Sequence, residues 1–148
     1  MIKKWNCKLH NPDCNKLYLC WTVFVLTNCC VNSLMAENKC FEKLNVSDSH
    51  FPKGEYNNCT FKNCNFYEAD FSGIIFRECV FDNCDLSLAT LKNTTFHEVS
   101  FNDCKMLGLQ FQHCNSFLFS VNFKNCMLKL AVFCALKLKK YRFENCNL

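Results

Sequence analysis

The sequence contains few of the residues that usually mark turns, and it has no long apolar run. Its 148 residues include only 3 Gly and 2 Pro, although both are common in the turns of small domains. The main apolar run, at residues 17–26, spans ten residues, whereas a membrane-spanning helix needs about twenty. The formal net charge of +4 is too small to indicate nucleic-acid binding by itself. We therefore expect neither membrane insertion nor direct binding of nucleic acid.

Cysteine, in contrast, is abundant. The chain has 15 Cys, and such a content in a short secreted protein suggests a disulfide scaffold. Here the number is odd, and most of the cysteines recur at a fixed phase of a repeat. We interpret them as small apolar core residues that stay reduced. The predicted location is therefore the cytoplasm.

Residues 1–36 lack this repeat and are predicted to form an N-terminal extension. A basic start, the apolar run at 17–26 and the small residue Ala36 give a poor match to a signal peptide, which leaves export as a minor alternative. A chain that began at Met35 would run directly into the repeat. We therefore hypothesise that residues 1–34 are a non-native or upstream-translated extension.

The rest of the chain has a period of five residues. An apolar residue occupies every fifth position from Phe41 to Phe111 and, after a shift of two residues, from Leu118 to Leu148. The residue two positions earlier is also apolar or small, often Cys or Ala, and the other three positions are mainly polar. A period of five matches neither an α-helix nor a simple alternating strand. It indicates a coil in which each pentapeptide forms one short side and then turns a corner.

These units resemble the motif of the pentapeptide-repeat family, and in particular its quinolone-resistance-type members. Matching units include Cys-Asn-Phe at residues 64–66, Ala-Asp-Phe at 69–71 and Cys-Asp-Leu at 84–86. The resemblance covers about residues 39–148 and implies an all-β fold, a right-handed quadrilateral β-helix with four pentapeptides in each coil. We assign residues 37–148 to this solenoid of about five coils.

Four pentapeptides per coil would place every twentieth residue in one column along the solenoid axis. Large residues can then meet in the middle of the coil while small residues fill the space beneath its walls. Two columns are predicted to form the structural core: Phe61, Phe81, Phe101, Phe123 and Phe143 in the first, and Cys64, Cys84, Cys104, Cys126 and Cys146 in the second.

A polar column is predicted on the outside of the coil, at its corners. Asparagine suits corners because it tolerates left-handed backbone angles and its amide can bond the local backbone or the next coil. The members of this column are Asn63, Asn83, Asp103, Asn125 and Asn145.

The two-residue shift is predicted at residues 112–117, as a bulge or a small loop. Phe117 and Phe119 lie beside it, and they either pack over the bulge or form an interaction site. A second candidate lies in the last two coils, because residues 112–148 carry a net charge of +5 and residues 37–111 a net charge of −4. That basic cluster is either an ordinary solvated face or a patch for an acidic partner, and its members include Lys137, Lys139, Lys140 and Arg142.

The sequence offers no catalytic constellation. It contains no glycine-rich phosphate loop and no Cys-x-x-Cys, and no Ser-His-Asp or Cys-His pairing is visible. The column of cysteines would leave no room for a tetrahedral metal site inside the coil. We therefore predict that the protein is not an enzyme and has no cofactor and no metal.

The preferred functional hypothesis is a non-catalytic scaffold for protein–protein interaction, with an unknown partner. The family resemblance implies an alternative, a DNA-mimic-like protein that binds DNA gyrase or another topoisomerase and protects it from quinolones. A DNA mimic needs acidic rows, because B-DNA carries one charge per ~1.7 Å of axis. The only outward acidic column found here has two members, Glu78 and Glu98.

The sequence stops at Leu148, on a core position and without a cap. An open last coil exposes unpaired backbone groups and a slice of core. Two explanations are open. Either further coils are missing, so that the chain is a fragment, or the end is covered by another chain, as in a symmetric homodimer through the C-terminal end.

Overall fold

The computed structural model describes residues 34–46, 51–134, 136 and 141–148. The signal-like segment before residue 34, together with Lys137, Lys139 and Lys140 of the basic cluster, lies outside the described residues. The described residues form ten short strands and one 3-10 helix, without an α-helix. All strand pairs are parallel. The all-β solenoid of about five coils is therefore confirmed.

The strands are only three or four residues long, because each pentapeptide must also contain a corner. In chain order they are β1 (Leu34–Glu37), β2 (Cys40–Glu42), β3 (Gly54–Asn57), β4 (Thr60–Lys62), β5 (Ile75–Arg77), β6 (Val80–Asp82), β7 (Thr95–His97), β8 (Val99–Asn102), β9 (Val121–Lys124) and β10 (Tyr141–Glu144). The 3-10 helix is Phe111–His113.

Each coil has four sides. Side 1 is a four-stranded sheet in the order β1-β3-β5-β7, and side 2 is a six-stranded sheet in the order β10-β9-β8-β6-β4-β2. Sides 3 and 4 are joined by single bridges between coils instead of strands. The bridging residues are Asn45, Asn65, Asp85, Lys105, Met127 and Asn147 on side 3, and Asp70, Thr90, Gln110 and Val132 on side 4.

The phenylalanine column runs along the inside of side 2. Phe61 lies opposite Phe81, Phe81 opposite Phe101 and Phe101 opposite Phe123, so the spacing changes from 20 to 22 residues at the last of these pairs. Their rings are stacked, with centroids 4.7 Å apart for the first pair and 5.4 Å apart for the last. These four residues are fully buried, whereas Phe143 in the last coil is 40% exposed. Phe143 therefore departs from the expectation of a core residue.

The cysteine column forms part of the core between sides 2 and 3. Cys64, Cys84, Cys104 and Cys126 are buried, while Cys146 in the last coil is partly exposed, again unlike a core residue. Each buried thiol donates to carbonyl oxygens, as shown by Cys84, whose Sγ lies 3.3 Å from the Phe61 oxygen of the preceding coil. All described cysteines are free thiols. Their main structural contribution is to fill space and to satisfy main-chain acceptors.

Residues in the left-handed region form the corners of the coil and explain why so little glycine is needed. Asn63, Asn83 and Asn125 have φ between 50° and 55°, a conformation that asparagine adopts more readily than most residues. The Asn83 side chain donates to Oδ1 of Asn63 at 2.7 Å, and Asn125 donates to Oδ1 of Asp103 at 3.0 Å. Asparagine therefore makes the corners and links successive coils.

The solenoid begins no later than Leu34. Strand β1 pairs with β3, and Ala36 lies opposite Tyr56 on the inner face of side 1, where both are buried. Residues 34–36, which were expected to belong to the N-terminal extension, therefore form part of the first coil.

Candidate interaction site

The change of spacing occurs after Asn115. The backbone N–H of Asn115 still donates to the Thr94 oxygen at 2.8 Å, and its side-chain amide donates to Oγ1 of Thr95, both with the regular spacing of the earlier coils. Val121 lies opposite Val99, which is a spacing of 22 residues. The extra residues therefore lie between Asn115 and Val121, which overlaps the end of the predicted range of 112–117 and extends beyond it.

The insertion interrupts side 1. The sheet of side 1 ends at β7, and no strand among the described residues continues it beyond that point. In the next coil, side 1 retains isolated hydrogen bonds in place of a strand, among them those of Asn115 and the bond from the Ser120 N–H to the Phe96 oxygen at 2.9 Å. On side 2, in contrast, the parallel pairing continues without interruption from β8 to β9 in the same coils. The extra residues are therefore accommodated on one side of the coil.

Phe119, and not Leu118, occupies the core position of side 1 after the insertion. Phe119 is 7% exposed, whereas Leu118, which the five-residue period placed in the core, is 40% exposed. The Phe119 ring packs edge-on against Phe96 and Tyr141, with centroids 6.1 Å and 5.3 Å away. Because residues 116–118 form an outward turn, the chain reaches the core one residue later than the period predicts. Phe119 is therefore not available as an exposed interaction residue.

Phe117 lies at the tip of this outward turn, which we call the Phe117 turn (residues 116–118). Its side chain is 86% exposed. Its backbone N–H donates to Oδ1 of Asn115 at 3.1 Å, while the Asn115 amide donates to Thr95 at 3.3 Å. One asparagine side chain thus closes the turn and ties it to side 1. The result is a large aromatic ring displayed on an anchored turn.

Of the four residues named for the predicted basic cluster, Arg142 of β10 is described, and its side chain is exposed, as are those of Lys124 and Lys129 in the same part of the chain. Nearby on side 2, Lys124 forms an ion pair with Glu144 at 3.3 Å, and both side chains are about half exposed. Exposed ion pairs of this kind stabilise a fold only slightly. In the described part of this basic region, Glu144 therefore partly balances the positive charge.

A further set of exposed apolar residues lies on side 3 and was not expected from the sequence. Leu88 and Leu130 occupy outward corner positions in the left-handed region, with φ of 60° and 61°. Tyr67 and Met127 are also exposed on this side. The sequence could have revealed them, because they are apolar residues at positions of the pentapeptide that are mainly polar in the other units and therefore face outward.

Cys114, shortly before the Phe117 turn in the sequence, is a buried thiol. Burial raises the pKa of the Cys114 thiol to about 12, so it stays protonated and unreactive at neutral pH. No group of three or more potential metal ligands occurs among the described residues. Nor does that part of the chain include a helix long and apolar enough to cross a membrane.

Comparison with known proteins agrees with this architecture. Residues 54–116 match the family model for a pentapeptide repeat region. No curated protein shows significant similarity to the chain. Among solved structures, full-length QnrB1, a plasmid-mediated fluoroquinolone resistance protein, matches with a TM-score of 0.50 and 22% identity. That match covers 79% of this chain and 58% of the QnrB1 chain, so this chain corresponds to little more than half of QnrB1.

Two trypsin-treated variants of QnrB1 match less well as structures. One has 23% identity and a TM-score of 0.33, and the match covers 67% of this chain and 55% of that one. The other has 23% identity and a TM-score of 0.35, with 78% and 66% covered. Residues 54–116 are therefore a pentapeptide repeat region, and the chain shares its fold with full-length QnrB1.

Proposed function

We propose that this protein is a non-catalytic scaffold that binds a protein partner through the Phe117 turn. The observation that carries the proposal is a phenylalanine that is 86% exposed on a turn held by hydrogen bonds. Enclosing a phenylalanine side chain in an apolar pocket contributes roughly 1.5–3 kcal/mol. Aromatic residues are accordingly frequent among the few residues that dominate binding energy at protein interfaces.

The anchoring of the turn supports the same proposal. The side chain of Asn115 accepts from the Phe117 N–H and donates to Thr95, so the turn does not have to be ordered when a partner binds. Such preorganisation lowers the entropic cost of association. The partner should therefore present an apolar pocket large enough for one aromatic ring.

Site-specific photo-crosslinking tests this proposal. Phe117 is replaced by p-benzoylphenylalanine in the full chain, the protein is irradiated in its host cells, and the adducts are identified by mass spectrometry. A matched variant carries the same group at Lys92, an exposed residue on side 4. We expect one dominant protein adduct at position 117 and none of that mass at position 92. Equal patterns at both positions, or no adduct at 117, would contradict the proposal.

The alternative partner is a topoisomerase. The observation in its favour is the fold shared with QnrB1, a fluoroquinolone resistance protein. A gyrase supercoiling assay, run with and without fluoroquinolone, distinguishes the two candidates. Restored supercoiling by the wild-type chain, and less by Phe117→Ala, would identify gyrase as the partner of the Phe117 turn. Absence of rescue at micromolar protein would remove this alternative and leave the scaffold proposal standing.

We also assign the protein to the cytoplasm, because the described cysteines are free thiols and such thiols persist in reducing compartments. Export is the competing location. Thiol alkylation of the protein in intact cells, followed by mass spectrometry under non-reducing conditions, checks this. Exposed cysteines such as Cys40 and Cys134 should be recovered as reduced thiols, and disulfide-linked Cys40 or Cys134 would argue for export.

A further inference from the structure

Side 3 carries an apolar strip on its outer surface that the fold itself does not require. Leu130 is 84% exposed and Leu88 is 49% exposed, and Tyr67 and Met127 lie beside them with about two fifths of each side chain exposed. Leu107, also on this side, is partly exposed. Together these five residues form the side 3 strip, which spans four successive coils.

Two members of the strip also adopt an unfavourable backbone conformation. Leu88 and Leu130 are in the left-handed region, where a Cβ-bearing residue other than asparagine or aspartate is disfavoured. At the equivalent corners of side 2 the chain uses Asn83 and Asn125. Leucine at these corners therefore improves neither solubility nor backbone conformation, which points to a role in binding.

Gly108 makes the strip continuous. It occupies the corner between Leu88 and Leu130 and has a φ of 67°. A Cβ at Gly108 would lie 2.9 Å from Cδ2 of Leu88, so the Leu88 side chain extends across the glycine into the next coil. The absence of a side chain at this corner thus lets one leucine cover two coils.

The charged residues along the strip are arranged with opposite signs at its two ends. Glu68 and Asp85 lie in the two coils nearer the N-terminus, and Lys105 and Lys129 lie in the two coils nearer the C-terminus. Lys53 and Asp70, which form an ion pair with a distance of 2.8 Å, lie at the neighbouring side 4 and do not neutralise this pattern. Apart from Asp103 at the corner with side 2, the charges along the strip therefore run from acidic at one end to basic at the other, with apolar residues between them.

We propose that side 3 binds side 3 of a second copy of this chain, with the two solenoids antiparallel. A two-fold axis across side 3, between the coils of Asp85 and Lys105, would relate the two copies. Asp85 of each copy then faces Lys105 of the other, because these are bridging residues of the same column. Glu68 likewise meets the coil that contains Lys129 and Leu130.

The charge pattern selects this arrangement over a parallel one. In a parallel pair each coil would face its own equivalent, so the acidic coils would meet acidic coils and the basic coils would meet basic coils. In the antiparallel pair acidic coils face basic coils at both ends, with Leu88 close to the two-fold axis and Leu130 in an outer coil. Four coils, at about 4.8 Å each, give a contact only roughly 19 Å long. A contact of this size is smaller than the interfaces of stable dimers, so we expect a weak dimer that forms in the upper part of the micromolar range.

Sedimentation velocity of the full chain in reducing buffer, from about 1 to 300 μM, tests the proposal. Wild-type protein should shift from monomer to dimer in this range. The variant with Leu88→Asn and Leu130→Asn should show a dimer dissociation constant raised at least about tenfold. It should fold normally, because asparagine suits the left-handed corners. The matched control is Glu98→Asn, which changes an exposed left-handed corner of side 1 and should leave the dimer unchanged.

Charge reversal gives an independent readout of the antiparallel arrangement. Glu68→Lys alone and Lys129→Glu alone should each weaken the dimer by several fold, and the double variant should recover most of the loss. Wild-type protein that stays monomeric throughout would overturn the proposal. So would a dimer that is insensitive to both sets of variants, which would instead indicate contact through the last coil, where Phe143 and Leu148 are exposed.

Discussion

The coils before the insertion differ from the coils after it. Before it, both sheets continue with a spacing of 20 residues, and the inner phenylalanines such as Phe61 and Phe81 are fully buried. After it, side 2 continues through β9 and β10, while side 1 has lost its sheet. The difference shows that a pentapeptide solenoid can absorb extra residues on one side, provided that another side keeps its parallel pairing.

The largest expected effect compares two members of the phenylalanine column. Phe101→Ala should cost about 3–5 kcal/mol of unfolding free energy, because Phe101 is fully buried. Phe143→Ala should cost less than half as much, since the Phe143 side chain is 40% exposed. Urea denaturation followed by circular dichroism measures both. Equal losses would mean that the coils after the insertion are as well packed as those before it.

The second prediction concerns the neighbours Leu118 and Phe119. Phe119→Ala should cost about 3 kcal/mol, because its ring contacts aromatic residues of two other coils. Leu118→Ala should cost under about 1 kcal/mol, as expected for a partly exposed residue outside the core. The same denaturation assay applies to both. A larger loss of unfolding free energy for Leu118→Ala than for Phe119→Ala would mean that Leu118 occupies the core position, as the five-residue period predicts.

The third prediction concerns the anchoring of the Phe117 turn. Asn115→Ala removes the hydrogen bonds to the Phe117 N–H and to Thr95, and it should cost about 1 kcal/mol. Hydrogen exchange of the Phe117 amide should become markedly faster, while exchange in β9 stays slow. Asn122→Ala, an exposed residue of β9, is the control. Unchanged exchange at Phe117 would show that the turn does not depend on Asn115.

The smallest expected effect concerns the ion pair on side 4, before the insertion. Partial burial of Asp70 opposes ionisation, but hydrogen bonds from Lys53 and Ser72 outweigh it and lower the pKa of Asp70 to about 2. The carboxylate therefore stabilises the fold above its unfolded pKa of about 4, and this contribution is lost as the pH falls towards 2.

Asp70→Asn should remove that pH dependence. The loss at neutral pH should stay below about 1 kcal/mol, because Lys53 and Asp70 are each nearly half exposed. Thermal unfolding between pH 7 and pH 2 measures it, with wild type and variant converging at the acid end. A gap between them that widened below pH 4 would contradict the assignment.

The five-residue period was sufficient to predict a coiled chain and most of its core, whereas the four sides of the coil were implied by the resemblance to the pentapeptide-repeat family. Period and residue type together place Phe101 inside the coil, and they place Asn83 at a corner, because each depends on a regular local pattern. The period could not predict that Phe119 would replace Leu118. The shift shows that two extra residues are present. It does not show which residue after them occupies the core position of side 1.

The exposed surface was harder to predict, because contacts between coils depend on residues twenty positions apart. The side 3 strip requires Leu88, Gly108 and Leu130 to be considered together as one column. Likewise, the exposure of Phe117 depends on the hydrogen bonds of Asn115, which join a turn to the preceding coil. Burial within a coil can be inferred from spacing alone, whereas a binding surface depends on how successive coils align.

Hydroxyl-radical footprinting of the full wild-type chain tests the central claim most directly. The claim is that the insertion exposes Phe117 while it buries Phe119, only two residues away. Oxidation of each phenylalanine is measured by tandem mass spectrometry after brief radical exposure. We predict that Phe117 is oxidised rapidly and that Phe119 is protected to the same degree as Phe101. Equal oxidation of Phe117 and Phe119, or faster oxidation of Phe119, would contradict this account.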